Sequence, residues 1–193
     1  EGCTPTKTMI ASAGVAYITQ RAEDFGVHSE EIEVRLDEVR QRKRDIVNSF
    51  REGNLTRVEN QDNLDLLRGT ASFKDPNILQ IEGSEGPSYE IKTNKIFIDT
   101  GTRPSFPPIP GLESVDHLNS TSIMELDEVP DSLLIVGGGY VGVEFGQMFR
   151  RFGSDVKIFQ RGSQILSRED EDVARELTKI LEEDGIKIET DSE

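Results

Sequence analysis

Four apolar residues, Leu133-Leu134-Ile135-Val136, run straight into Gly137-Gly138-Gly139-Tyr140-Val141-Gly142. This junction constrains the chain more than any other feature. The glycines fit G-x-G-x-x-G directly after a strand and at the opening of a helix, Tyr140 to Phe152, which is the setting a dinucleotide fingerprint requires. Gly137 permits the tight turn and Gly139 lets the backbone approach a pyrophosphate. Gly142 lets helix and strand pack closely, and Gly146 extends that small face. Unpaired N–H groups and the dipole at the helix start would hold the phosphates, so Gly137, Gly138, Gly139, Tyr140, Val141 and Gly142 are expected to bind a cofactor. The competing reading is a glycine turn without a ligand.

The alternation continues. Val156-Lys157-Ile158-Phe159 reads as a second strand. Asp170 to Asp184 reads as a helix with Val173, Leu177, Ile180 and Leu181 inward and an acidic start that suits its dipole. Ile186-Lys187-Ile188 reads as a third strand. This βαβαβ order is the unit of a doubly wound, Rossmann-like parallel α/β sheet. About 20 residues after the first glycine, such sheets carry an acid for the ribose 2′-OH of NAD. Gln160 stands there instead, with Arg161 next and Arg168 beyond. A guanidinium suits a 2′-phosphate, so Gln160 and Arg161 favour NADP(H). NAD(H) stays open if the arginines only balance the acid run Glu169-Asp170-Glu171-Asp172.

Upstream, Thr4-Pro5 reads as N-cap and first turn of a helix that carries Met9, Ile10, Ala13, Ala16, Tyr17 and Phe25 and stops at Gly26. A second helix runs from about Leu36 to Glu52 and is ended by Gly53. Its Arg40-Gln41-Arg42-Lys43-Arg44 run reads as a solvated face. Short strands are expected at 64–67, 78–81, 89–91 and 96–98. Pro104, Pro107, Pro108 and Pro110 with Gly111 then form a stiff crossing segment, which sets the expected domains at 1–104 and 105–193.

A net charge of −15, from 22 basic and 37 acidic residues, argues against nucleic acid and against an anionic membrane surface. No window approaches the roughly 18 apolar residues of a membrane span. A single cysteine argues against a disulfide framework and a cysteine-rich metal site, and His28 and His117 are too few for a histidine site. The chain opens Glu1-Gly2-Cys3 with neither initiator Met nor secretory leader and closes just after a strand. The expectation is a cytoplasmic protein of which this is an internal fragment.

Cys3 stands at a helix N-terminus, where free N–H groups and the dipole favour a thiolate. Lys7 follows one turn on, along the same face. A thiolate and an ammonium would share a site. From composition alone, the alternative is a small buried hydrophobe beside a surface lysine.

Four ordered segments resemble one family. Gly2-Cys3-Thr4-Pro5-Thr6-Lys7 resembles the second half of C-x-N-x-G-C-x-P-[ST]-K, the redox motif of the flavin-dependent pyridine nucleotide-disulfide oxidoreductases. Gly69-Thr70-Ala71-Ser72-Phe73 resembles their G-x-A-x-F strand. Asp99-Thr100-Gly101-Thr102-Arg103-Pro104 resembles A-T-G-[ST]-x-P with Asp in place of Ala. Val136 to Glu144 resembles their NAD(P) fingerprint. The resemblance implies a two-domain flavoprotein with FAD and NAD(P) sites, truncated at both ends: an FAD-binding part over 1–104 and an NAD(P)-binding part over 105–193. It implies that Cys3 is the disulfide sulfur beside the flavin, its partner thiol lying just upstream. Lys7 would sit by the flavin, paired with Glu144, and Tyr140 would cover the nicotinamide side. Ala71, with Thr100, Gly101 and Thr102, would contact FAD. Electrons would pass from NAD(P)H through FAD to the Cys3 disulfide, then to a small disulfide or Hg(II). The full-length protein would be a homodimer. The segments around Thr4, Thr6 and Gln160–Asp170 are most similar to mercuric reductases, with dihydrolipoamide dehydrogenases as the alternative. Outside these stand a single-cysteine peroxidase or oxidase cycling through a sulfenic acid, and a nucleotide-binding module without catalysis.

Overall fold

The computed structural model describes residues 2–28, 32–83 and 86–192, which divide into two compact units, Glu1–Asn48 with Pro108–Glu193, and Ser49–Pro107. In the first unit, helix α1 spans Cys3–Gln20. It starts at Cys3 with Gly2 as its cap, so Thr4 lies inside the first turn rather than capping it. It stops before Phe25, which belongs to a separate 3-10 turn, Ala22–Phe25, closed by Gly26 at φ +75°. Helix α2, Leu36–Glu59, leaves this unit and ends in the second. It runs straight through Gly53, since one interior glycine costs only about 1 kcal/mol.

The basic run on α2 is a solvated face only in part: Gln41, Arg42 and Arg44 are exposed, but Lys43 is not. Leu36, Val39, Lys43 and Val47 recur at helical spacing on one side, and Lys43 is 3% exposed. Its ammonium donates to the Met124 carbonyl at 2.7 Å and meets the Glu125 carboxylate. Arg44 reaches the other Glu125 oxygen at 2.5 Å and Arg40 reaches Asp127 at 2.5 Å. A run of charge in sequence says nothing about which side of the helix each residue takes.

Strands β4 (Ser132–Val136), β5 (Asp155–Phe159) and β6 (Lys187–Glu189) form a parallel sheet in that order, with Ile135 opposite Ile158 and Ile158 opposite Ile188. Helices α3 (Tyr140–Phe152) and α4 (Glu171–Glu183) make the crossovers. Because the strands add in one direction, right-handed connections put both helices on one face. There Phe145, Met148, Phe149 and Phe152 join Val156, Ile158, Leu181 and Ile186 in a core that also takes in Met9 and Ala13 of α1. Helix α4 turns Ala174, Leu177 and Leu181 inward, while Val173 and Ile180 are exposed, a shift of one position from the expected stripe. Strand β4 is covered on one side only, leaving Leu134 67% and Val136 63% exposed.

The second unit holds the antiparallel meander β1 (Gly69–Asp75), β2 (Ile78–Gly83) and β3 (Tyr89–Lys92). Residues 64–67 and 96–98 are not strands. Short apolar runs are ambiguous, and pairing here goes to Gly69–Asp75, whose residues find partners along β2.

Candidate functional site

Helix α1 and helix α3, which the glycine loop opens, meet through an ion pair. Helix α1 packs along α3 through Met9 and Ala13, which brings Lys7 to Glu144, and the Lys7 ammonium donates to a Glu144 carboxylate oxygen. The two residues stand 137 positions apart in sequence. Cys3 is an exposed free thiol one helical turn before Lys7. The start of α1 has no side-chain cap, so the first-turn amides beside Cys3 keep their capacity to stabilise negative charge. Thr6 donates to the Met124 sulfur at 3.7 Å, and Arg42 donates to the Thr8 carbonyl at 3.1 Å, tying α1 to the segment that Lys43 anchors.

The glycine loop leaves part of its backbone open. A Cβ at Gly139 would meet nothing within 4 Å, so this backbone is open to approach. Gly137 takes φ +103° and makes the turn. A Cβ on Gly142 would fall 2.1 Å from the Gly137 carbonyl oxygen, so only glycine closes this corner. No side chain caps α3, and its first-turn amides from Tyr140 onward point out of the helix end. Gln160 turns its side-chain oxygen to the Gly138 amide at 2.9 Å, so the residue that replaces the fingerprint acid braces the loop by taking up the Gly138 N–H. Arg161 is exposed beside it.

Residues 160–170 fold back onto this loop, a feature the sequence reading missed. The Leu166 amide donates to the Gly138 carbonyl at 2.7 Å. Ile165, fully buried, packs on Gly138 so closely that a Cβ there would meet its side chain at 2.6 Å. Leu166 takes φ +47°, unusual for a branched residue and held here by its buried side chain and its amide bond. The Tyr140 hydroxyl donates to the Glu169 carboxylate. That bond, with burial and the Glu169 charge, holds the Tyr140 phenol above its ordinary range, against the opposing pull of Arg168. Nothing in the acid run marked Glu169 out from its neighbours.

Ala71, Thr100, Gly101 and Thr102 belong to the second unit. Ala71 lies on β1 opposite Ile81, and Gly101 takes φ +68° in a segment without regular secondary structure. His28 and His117 are exposed. Among the described residues, no group of three His, Cys, Asp or Glu could hold a metal ion, and no helix is long and apolar enough to cross a membrane.

A family model described as "Pyridine nucleotide-disulphide oxidoreductase" matches residues 1–193. The chain is 39% identical over 188 residues to "Probable pyridine nucleotide-disulfide oxidoreductase RclA" of Escherichia coli (strain K12), covering 97% of this chain and 38% of that protein. It is 32% identical over 189 residues to "Mercuric reductase" of Bacillus cereus, covering 98% of this chain and 29% of that protein. Among solved structures, "HOCl-induced flavoprotein disulfide reductase RclA from Escherichia coli" matches with a TM-score of 0.81 and 35% identity, over 100% of this chain and 40% of that one. The chain therefore spans well under half the length of these relatives.

Proposed function

Because the chain belongs to the pyridine nucleotide-disulphide oxidoreductase family, whose members are FAD- and NAD(P)-dependent enzymes, we propose that it is part of an enzyme that moves electrons from NAD(P)H through FAD to a disulfide containing Cys3. The observation that carries this reading is the Lys7–Glu144 pair. It joins the helix of the only cysteine to the helix that the glycine loop opens, so donor and acceptor chemistry converge on one ion pair. The resemblance assigns Lys7, Ala71, Thr100, Gly101 and Thr102 to FAD, and the 1–104 part to its domain. Gly137 to Gly142 with Gln160 and Arg161, in the 105–193 part, hold the dinucleotide. FAD supplies a carrier that takes a hydride and gives up electrons in pairs. Lys7 stands one turn from Cys3, with its ammonium paired to Glu144. Reducing the disulfide consumes two electrons and two protons and yields two thiols, which pass the same two electrons to a substrate disulfide or to Hg(II), giving Hg(0).

The relatives above support both substrates, with mercuric reductase the nearer by motif. The missing strand-end acid and exposed Arg161 support NADP(H). Dependence on reduced nicotinamide supports a cytoplasmic site. The exposed apolar stripe Ala11, Val15 and Ile18 on α1 supports a homodimer of the complete enzyme. The test is a reductive titration of the complete enzyme. Wild type takes up two electron pairs, one in flavin and one in disulfide. Cys3→Ser takes up one, still reduces its flavin with NADPH, and loses turnover of both disulfide and Hg(II). Equal electron uptake by the two proteins would overturn the proposal. Turnover by wild type with Hg(II) or with a small disulfide then separates the substrates.

A further inference from the structure

On the reading that Cys3 exchanges electrons with a bound flavin, we propose that Lys43 is a positioning residue for that site: through Met124 it fixes the first turns of α1, which carry Cys3 and Lys7. The Lys7–Glu144 pair does not fix them by itself. Its side chains are 54% and 38% exposed, and a pair so open to water contributes little. Met9 and Ala13 pack the middle of the helix into the core, but its first turns are held by polar anchors. Thr6, between Cys3 and Lys7, donates to the Met124 sulfur at 3.7 Å. Met124 is buried, and its carbonyl accepts from the Lys43 ammonium at 2.7 Å. Arg42, next to Lys43, donates to the Thr8 carbonyl at 3.1 Å. Two successive residues of α2 thus hold Met124 and α1.

Met124 itself is fixed on both sides. Its 3-10 turn, Ser122–Glu125, is tied to α2 a second time, because Arg40 donates to the Glu125 carbonyl at 2.8 Å. Downstream, the fully buried Ser154 donates its hydroxyl to the Pro130 carbonyl at 2.6 Å, and the Asp155 amide donates to the Asp131 carbonyl at 2.8 Å. A strap that leads into β4 and the glycine loop is therefore pinned at each end, and Thr6 rests on it. A buried ammonium is a poor source of net stability, since desolvation offsets most of what its partners return. Its value lies in direction. Lys43 must meet both the Met124 carbonyl and the Glu125 carboxylate, whereas an apolar side chain in its place could slide.

The test uses the complete enzyme with its flavin. On two-electron reduction, wild type is expected to show the long-wavelength charge-transfer band of a thiolate beside a flavin. Lys43→Met keeps an unbranched side chain and leaves Glu125 paired with Arg44. It is expected to lose most of that band. Its kcat falls by about 10- to 100-fold, the scale of a small misplacement of reacting groups, with the KM for NADPH unchanged. By hydrogen exchange, the Thr8 and Met9 amides open about 10-fold more readily, while those of α4 keep the wild-type rate. Glu125→Gln preserves the bond from Lys43 to the Met124 carbonyl and is expected to keep both the band and the exchange rates. Met124→Leu removes only the sulfur acceptor and loses a smaller part of the band. A wild-type band and exchange rates in Lys43→Met with normal flavin content, or in Met124→Leu should Lys43→Met not fold, overturn the proposal and leave the Cys3 reading intact. Equal loss in Glu125→Gln overturns it as well. Absence of the band in wild type overturns the Cys3 reading, and the role of Lys43 with it.

Discussion

The two three-stranded sheets of this chain are stabilised in different ways. The parallel sheet β4–β6 lies under α3 and α4, and its covered face supplies Val156 and Ile158 to a core with no exposed member. The meander β1–β3 has one buried hydrophobic residue, Ile81, and β1 is exposed along its whole length. Hydrogen-bonded pairing defines both sheets, but the first adds far more burial, at about 25 cal/mol per Å² of apolar surface. A meander with so little buried apolar surface is marginal in water. The dinucleotide loop grows from the sheet that has a core, which gives it a rigid base.

The largest expected effect tests this contrast directly. Phe149 is 0% exposed and meets Phe152 edge-on at 5.9 Å. Phe149→Ala removes a full ring from a packed site and is expected to cost about 3–5 kcal/mol in urea unfolding. Phe73 on β1 is 55% exposed, and Phe73→Ala is expected to cost less than about 0.5 kcal/mol. A Phe73 penalty as large as that of Phe149, measured in the complete protein, would mean that the face of the meander is covered there.

A smaller effect comes from the clamp on α2. Lys43→Ala strips a buried hydrogen bond from the Met124 carbonyl and leaves Glu125 with Arg44 alone. The expected cost is about 1–3 kcal/mol. The hydrogen bond from Lys43 lowers the pKa of Glu125 most, opposed by partial burial and aided by Arg44. A carboxylate whose folded pKa is depressed adds stability above its unfolded pKa and loses it as pH falls through the folded one. Melting temperature should therefore drop more for wild type than for Glu125→Gln as pH falls below about 4. Parallel curves would remove Glu125 from the clamp.

What could be read ahead of the structure divides along the same line. Strand β4, the glycine turn and α3 were legible because a period change and three glycines with separate steric duties agree there, and α3 falls on the expected residues. The Lys7–Glu144 pairing was reachable only through the family resemblance, since nothing local joins positions 137 apart. Lys43 was misread because a charged run hides helical phase. The 64–67 and 96–98 runs were misread because strand pairing is decided by a partner, not by the run itself. Glu169 and Leu166 were invisible because a loop folding back on another loop has no period.

The smallest effect sets an exposed lysine against the buried one. Lys74 on β1 reaches Glu90 on β3 at 2.5 Å, and both side chains are about half exposed. The pair ties the two outer strands together over the middle one, so it is part of what the meander has in place of a core. Water and salt compete for both charges, which limits such a pair to about 0.2–1 kcal/mol. Lys74→Ala is expected to lower urea stability by that amount at low salt and by almost nothing near 1 M NaCl, where the screening length falls to about 3 Å. Lys43→Ala is expected to keep most of its penalty at the same salt, because its carbonyl bond lies out of reach of ions. If the Lys74 penalty also survives high salt, the outer strands are shielded from solvent in the protein in solution, and the contrast between the two sheets is one of this chain alone.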